Sequence, residues 1–221
     1  MRVSCTMTDV GTPTHRLIVI RHGETEWSRT GRHTGTSDID LTEQGVEQAR
    51  SLAEPIAELL LTSPTVIASP RLRAQRTAEL AGLSVDETEP LLTEWDYGDY
   101  EGRTSPQIHE TDPDWTVFSD GGPNGETPEE MSDRVDHVIE KVTPKLSDGD
   151  VVFVTHGHFS RSLLARWIGS PIARGRHFTM LPASIAILGF DGQSRQLTTL
   201  GLTGYRSADY VDAGRPTRPV T

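Results

Sequence analysis

Three short apolar runs constrain this chain more tightly than anything else in it. Leu17-Ile18-Val19-Ile20, Thr65-Val66-Ile67-Ala68 and Val151-Val152-Phe153-Val154 are dominated by β-branched side chains and bounded by polar residues. Runs this short with that composition read as buried strands, expected at about 16–20, 65–69 and 151–154. Between them the spacing becomes helical. Thr42 predicts the cap of a helix running to Leu60, with Val46, Ala49, Leu52, Ala53, Ile56 and Leu60 on one face and Pro55 expected to kink or split it. Ser69 and Pro70 predict the start of another helix. Thr127-Pro128-Glu129-Glu130 has the form of a capping box ahead of the stripe Met131, Val135, Val138, Val142 and Leu146. Phe159, Leu163, Leu164 and Trp167 make a further face that stops at Gly169. Strands that alternate with helices favour a parallel sheet. The expected fold is therefore α/β, a three-layer α/β/α sandwich with a mainly parallel central sheet, completed by strands near 184–188 and 196–202 paired around Asp191-Gly192.

Each of the three runs ends in residues that could carry chemistry: Arg21-His22-Gly23, Ser69-Pro70-Arg71 and Thr155-His156-Gly157-His158. In a parallel sheet these ends share one edge, the edge where open α/β sheets bind ligands. For Arg21 and His22 to act in one pocket the chain must leave strand geometry after them, and Gly23 permits the turn. Two histidines, two arginines and two helix N-termini at that edge predict a cationic pocket suited to phosphate. A neutral imidazole among those cations could attack phosphorus. Arg71, Arg73 and Arg76 place positive charge near a helix N-terminus, where the macrodipole disfavours it. Arg71 is read as functional on that ground, and Arg73 and Arg76 as a solvated face. The polar stretch 23–40 reads as a long functional loop and residues 103–126, with three prolines and three glycines, as a lid-like insertion with one short helix.

Composition narrows the partners. The chain has 221 residues, enough for one domain, here 16–205, between a leader (1–15) and a tail (206–221). A net charge of -11 argues against nucleic acid. No apolar run approaches the roughly 20 residues that span a bilayer, and no apolar leader segment marks residues 1–15 for secretion. A single cysteine, Cys5, fits a reducing compartment, so a cytoplasmic enzyme, monomer or homodimer, is expected. A metal site built from His22, His33, His156 and His158 is disfavoured by the neighbouring arginines, and no cofactor is expected.

The segments Ile20-Arg21-His22-Gly23-Glu24-Thr25-Glu26-Trp27, Thr34-Gly35, Leu41-Thr42-Glu43-Gln44-Gly45, Ser69-Pro70-Arg71-Leu72-Arg73-Ala74, Glu94-Trp95-Asp96-Tyr97-Gly98 and Thr155-His156-Gly157 occur in this order. Together they resemble the histidine phosphatase superfamily in its phosphoglycerate mutase-like branch, over roughly residues 16–204. The resemblance implies a phosphoglycerate mutase-like fold, with His22 taking the phosphoryl group and Arg21, Arg71 and His156 holding its oxygens. Glu94 would protonate the leaving oxygen and then activate water. Thr34, Gly35 and Gly157 fall where the family contacts substrate, and Tyr97 and His158 are counted with them. Ser28 stands where the family usually has asparagine. After the acid segment the mutases carry a basic, proline-bearing insertion, whereas this chain continues with the acidic His109-Glu110-Thr111-Asp112-Pro113-Asp114. The resemblance is therefore closest to the bacterial acid phosphatase and sedoheptulose bisphosphatase-like members. It implies hydrolysis of phosphomonoesters such as sugar phosphates, with a primer-dependent mutase or a non-catalytic phospholigand module as the alternatives.

Overall fold

Successive residues of a strand point to opposite faces, and the first strand, β1 (Leu17–Arg21), uses this to build two cores at once. Leu17 and Val19 pack into one apolar cluster and Ile18 and Ile20 into the other, all four without solvent exposure. The structure, a computed structural model, describes residues 15–205; the expected leader to residue 14 and the tail 206–221 lie outside them. After β1 come α1 (Glu26–Arg29), α2 (Glu43–Ser51), α3 (Ala53–Glu58), β2 (Thr65–Ala68), α4 (Leu72–Leu80) and β3 (Glu87–Thr88). The chain continues through α5 (Ser105–His109), α6 (Val117–Asp120), α7 (Pro128–Val142), β4 (Val151–Thr155), α8 (Gly157–Trp167), β5 (Ile185–Asp191) and β6 (Ser194–Leu202).

One six-stranded sheet in the order β3-β2-β4-β1-β5-β6 divides these helices. The first four strands in that order are mutually parallel, whereas β5 runs antiparallel to β1 and β6 antiparallel to β5, so the sheet is mixed but mostly parallel. On one face Phe153 and Leu188 pack with Val135, Val138 and Val142 of α7 and Leu163 of α8. On the other Val66 and Val154 pack with Leu52 and with Ala74 and Ala78 of α4. Two helical layers therefore enclose the sheet.

Local signals place most boundaries. Thr42 caps α2 by accepting from the N–H of Gly45 at 3.0 Å, and Thr127 and Glu130 form the reciprocal capping box of α7. The helix expected over 42–60 is two, broken at Leu52, because Pro55 has no N–H for the carbonyl of Ser51. Leu60 does not join the apolar face; it follows the end of α3 with φ 48° and is 81% exposed. The insertion 103–126 holds two short helices rather than one, and it is packed rather than loose. Ile108, Trp115, Val117 and Phe118 are buried in the same cluster as α7 and α8.

This topology sets the site. β2, β4 and β1 are neighbours in register, with Ile20 beside Val154 and Val154 beside Ala68. The carboxyl ends of the three strands therefore lie at one level. The N–H of His22 donates to Thr155 O at 2.8 Å and that of Ser69 to Val154 O at 3.0 Å.

Candidate active site

His22 leaves β1 buried, with its ring against that of His156, centroids 5.2 Å apart. Its Nδ1 lies 2.6 Å from Gly23 O, and a carbonyl can only accept, so Nδ1 carries the proton and Nε2 keeps its lone pair. Burial, and then the guanidiniums of Arg73 and Arg21, push the imidazole well below its usual pKa. His22 is thus a neutral base with a free nitrogen among cations. Gly23 serves by close approach rather than by an unusual backbone angle: a Cβ on it would lie 2.5 Å from Gly45 O in α2.

His156 ends β4, opens α8 and is wholly buried. Its Nδ1 accepts from Arg73 Nε at 3.2 Å. Arginine cannot accept in return, so the proton of this ring sits on Nε2, 2.8 Å from Ser69 Oγ. Burial and Arg73 together hold His156 well below its usual pKa. Arg73 itself has no solvent exposure, and the carbonyls of Ser37 and Thr34 accept from its fork at 2.8 and 3.0 Å. Its assignment to a solvated face is thereby corrected. α4 begins at Leu72, not at Pro70, so Arg73 occupies the second helical position and turns inward across the sheet edge. Arg76 does lie toward the surface, paired with Asp40.

Glu94 is buried at the N-terminus of α8. Oε1 accepts from the N–H groups of Trp95 (3.0 Å) and Phe159 (2.7 Å), and Oε2 from that of His158 (2.9 Å). Arg21, His22 and Glu94 all line one cavity of about 370 Å³, within the range of small-molecule sites. Arg21 donates to Met180 O at 2.6 Å, yet its Nε and that of Arg71 are buried without a partner among the described residues. Buried donors of that kind are rare, and as cationic N–H groups they are suited to an acceptor from outside the chain, water or an anion.

The family model described as histidine phosphatase superfamily (branch 1) matches residues 17–203. The chain belongs to this superfamily. It is 50% identical over 196 residues to an acid phosphatase of Mycobacterium tuberculosis, covering 89% of this chain and 97% of that protein. It is 32% identical over 185 residues to the sedoheptulose 1,7-bisphosphatase of Saccharomyces cerevisiae, covering 71% and 68% respectively. A solved structure of the Mycobacterium tuberculosis open reading frame Rv3214 superposes with a TM-score of 0.85 at 50% identity, over 86% of this chain and 99% of that one.

Within this histidine phosphatase the expected substrate residues divide. Thr34, Tyr97, Gly157 and His158 line the cavity. Tyr97 Oη and His158 Nδ1 are 2.5 Å apart; burial raises the phenol well above its usual pKa and lowers the imidazole well below, so the pair is neutral. Ser28 also lines the cavity, but its Oγ is engaged by the N–H and carbonyl of Thr25, in the reciprocal cap of α1. Gly35 is not in the cavity wall: its N–H donates to the Glu101 carboxylate at 2.9 Å, and a Cβ there would lie 2.3 Å from Trp95 O. Arg71 is half-buried and, like Arg73 and His156, is not part of the cavity wall; its charge acts on His156 and Arg73, but the guanidinium hydrogen-bonded to His156 is that of Arg73.

Sequence reasoning missed more than Arg73. His33, which it weighed only as a metal ligand, lines the cavity beside Tyr97, its pKa pushed down to about 4 by burial. Arg161 and Arg176 reach the same cavity from α8 and from the 3₁₀ turn Ile172–His177. Nothing in their local pattern separates them from ordinary surface arginines. For Arg73 a signal existed, the breach of the helix-dipole rule, but it applied equally to its two neighbours.

Proposed function

We propose that this chain hydrolyses phosphomonoesters of small metabolites, sugar phosphates among them, through a phosphohistidine at His22. The single observation behind this is the state of His22: an unprotonated Nε2, fixed by the bond from Nδ1 to Gly23 O, in a pocket walled by arginine. In this reading the phosphoryl oxygens are held by Arg21, Arg73 and the Nε2–H of His156, which turns from Ser69 to the substrate, while Arg71 adds positive charge from outside. His22 Nε2 attacks phosphorus as the ester P–O bond breaks, and the departing oxygen takes a proton from Glu94. Glu94, now a carboxylate, removes a proton from water. The hydroxide displaces the N–P bond, releasing inorganic phosphate and restoring both groups. Thr34, Gly157, Tyr97 and His158 would border the rest of the ester.

No helix among the described residues is long and apolar enough to cross a membrane. The lone Cys5 and the acidic net charge support a cytoplasmic metabolite, rather than nucleic acid, as the partner of a monomer or homodimer. The test is phosphate release from a panel of sugar phosphates, phosphoglycerates and p-nitrophenyl phosphate without added metal, with alkaline quench, under which the N–P bond survives, and mass spectrometry of the peptide holding His22. Release together with a phosphorylated His22, both lost in His22→Ala, is the expected result. Release that persists in His22→Ala would refute the intermediate.

A further inference from the structure

Arginines without acid partners gather at one place in this acidic protein. Arg32, Arg161 and Arg176 line the cavity together with Arg21, and none of the four forms an ion pair with a described residue. They arrive from three separate elements: Arg32 from the loop after α1, Arg161 from α8 and Arg176 from the 3₁₀ turn. Arg161 is set in place before any ligand arrives. Its Nε donates to Gly175 O at 3.2 Å, its terminal nitrogen to Arg176 O at 3.1 Å, and its guanidinium stacks on Phe118 at 4.7 Å. Arg32 and Arg176 are exposed, and neither side chain forms an ion pair with a described residue. Like charges held in one wall repel, and Arg21 and Arg161 already oppose each other's charge. A single phosphoryl group at His22 is served by Arg21, Arg73 and His156, which leaves three guanidiniums facing the same cavity unaccounted for.

Resting on the phosphatase reading above, we infer that Arg32, Arg161 and Arg176 form a second anion subsite, and that the preferred substrates are phosphomonoesters carrying a further phosphate or carboxylate. The phosphoryl group to be transferred sits at His22. The uncharged middle of the substrate lies along His33, Tyr97 and His158, and its far anionic group meets the outer arginines. Specificity then comes from length and charge: an ester whose second anion is missing leaves Arg161 desolvated and unpaired.

The alternative use of these arginines is steering, which speeds the encounter of every anionic substrate alike. A ratio of substrates separates the two. Kinetics of the full chain are compared for fructose 1,6-bisphosphate against fructose 6-phosphate, and for 3-phosphoglycerate against glycerol 3-phosphate. One charge-assisted bond corresponds to about tenfold or more in affinity, so at least one pair should differ in kcat/KM by about tenfold or more. That ratio should fall toward one in Arg161→Met and in the double variant Arg32→Ala/Arg176→Ala. The double variant changes only exposed side chains and keeps the test open if Arg161→Met does not fold. A response confined to the bisphosphate pair assigns the subsite to phosphate, one confined to the phosphoglycerate pair to carboxylate. The same ratios are read as Kd in His22→Ala by calorimetry, so that loss of turnover does not remove the measurement. Ratios near one in the wild type, or ratios unchanged in the variants, overturn the subsite and leave the phosphatase reading standing. Absence of hydrolysis with the Kd ratios intact refutes the phosphatase reading and retains the subsite.

Discussion

Replacing Arg73 by methionine keeps the length of the side chain and removes its fork. Three acceptors within 3.2 Å of the fork then lose their donor: Thr34 O, Ser37 O and His156 Nδ1. Each buried acceptor left unpaired costs about 1–3 kcal/mol, although the two loop carbonyls can recover part of this from water, so a loss of about 3 kcal/mol in stability is expected. For a chain of this size that lowers Tm by about 6–12 °C. The kinetic effect is separate. Removing one preorganised donor to the charge that develops on a transferring phosphoryl group costs about 10²–10³ in kcat. Arg73 is also, after burial, the largest influence depressing His22 and His156. Without it both imidazoles rise toward their usual value, and the acid limb of kcat/KM moves to higher pH. The assay pairs thermal melting with pH profiles on p-nitrophenyl phosphate, and includes Arg71→Met for comparison. Because Arg71, unlike Arg73, makes no hydrogen bond to either histidine among the described residues, its variant should lose less activity than Arg73→Met does. Near-wild-type melting and rates in Arg73→Met, with the collapse in Arg71→Met instead, would refute the assignment.

The other expectations concern pH and proton transfer. His33, at about 4 in the folded chain, is held neutral by burial, so the unfolded chain binds the extra proton between its ordinary value near 6.5 and pH 4. Stability should be complete above pH 6.5 and fall as the pH drops through that window, and melting curves of His33→Gln should fall less steeply over the same range. Glu94→Gln should sharply slow single-turnover phosphorylation of His22 by alkyl phosphates and slow that by p-nitrophenyl phosphate less, since nitrophenolate leaves without a proton; equal losses would remove Glu94 as the acid.

The strands, their burial and the start of the major helices follow from local physics. β-Branched runs such as Val151-Val152-Phe153-Val154 suit a strand covered on both faces, and Thr42 and Thr127 cap whatever helix follows them, so their neighbours in sequence suffice to place them. The pairing of His22 with His156 is nearly as local. Once β1 and β4 are parallel neighbours in register, residues that end them equivalently must meet. Other features depend on where an element begins or on what distant chain lies across from it. α4 starting at Leu72 decides that Arg73, and not Arg71, turns inward, and a shift of two residues in a helix carries a side chain to the opposite side. Gly35 matches a substrate-binding motif, yet Glu101, 66 residues away, takes its N–H. Arg161 and Arg176 look like surface cations in sequence and become part of the site because α8 and the following turn close over the edge of the sheet. Periodicity records the environment of a residue's own element, whereas the cavity is made by groups from separate elements whose proximity exists only after the sheet has formed.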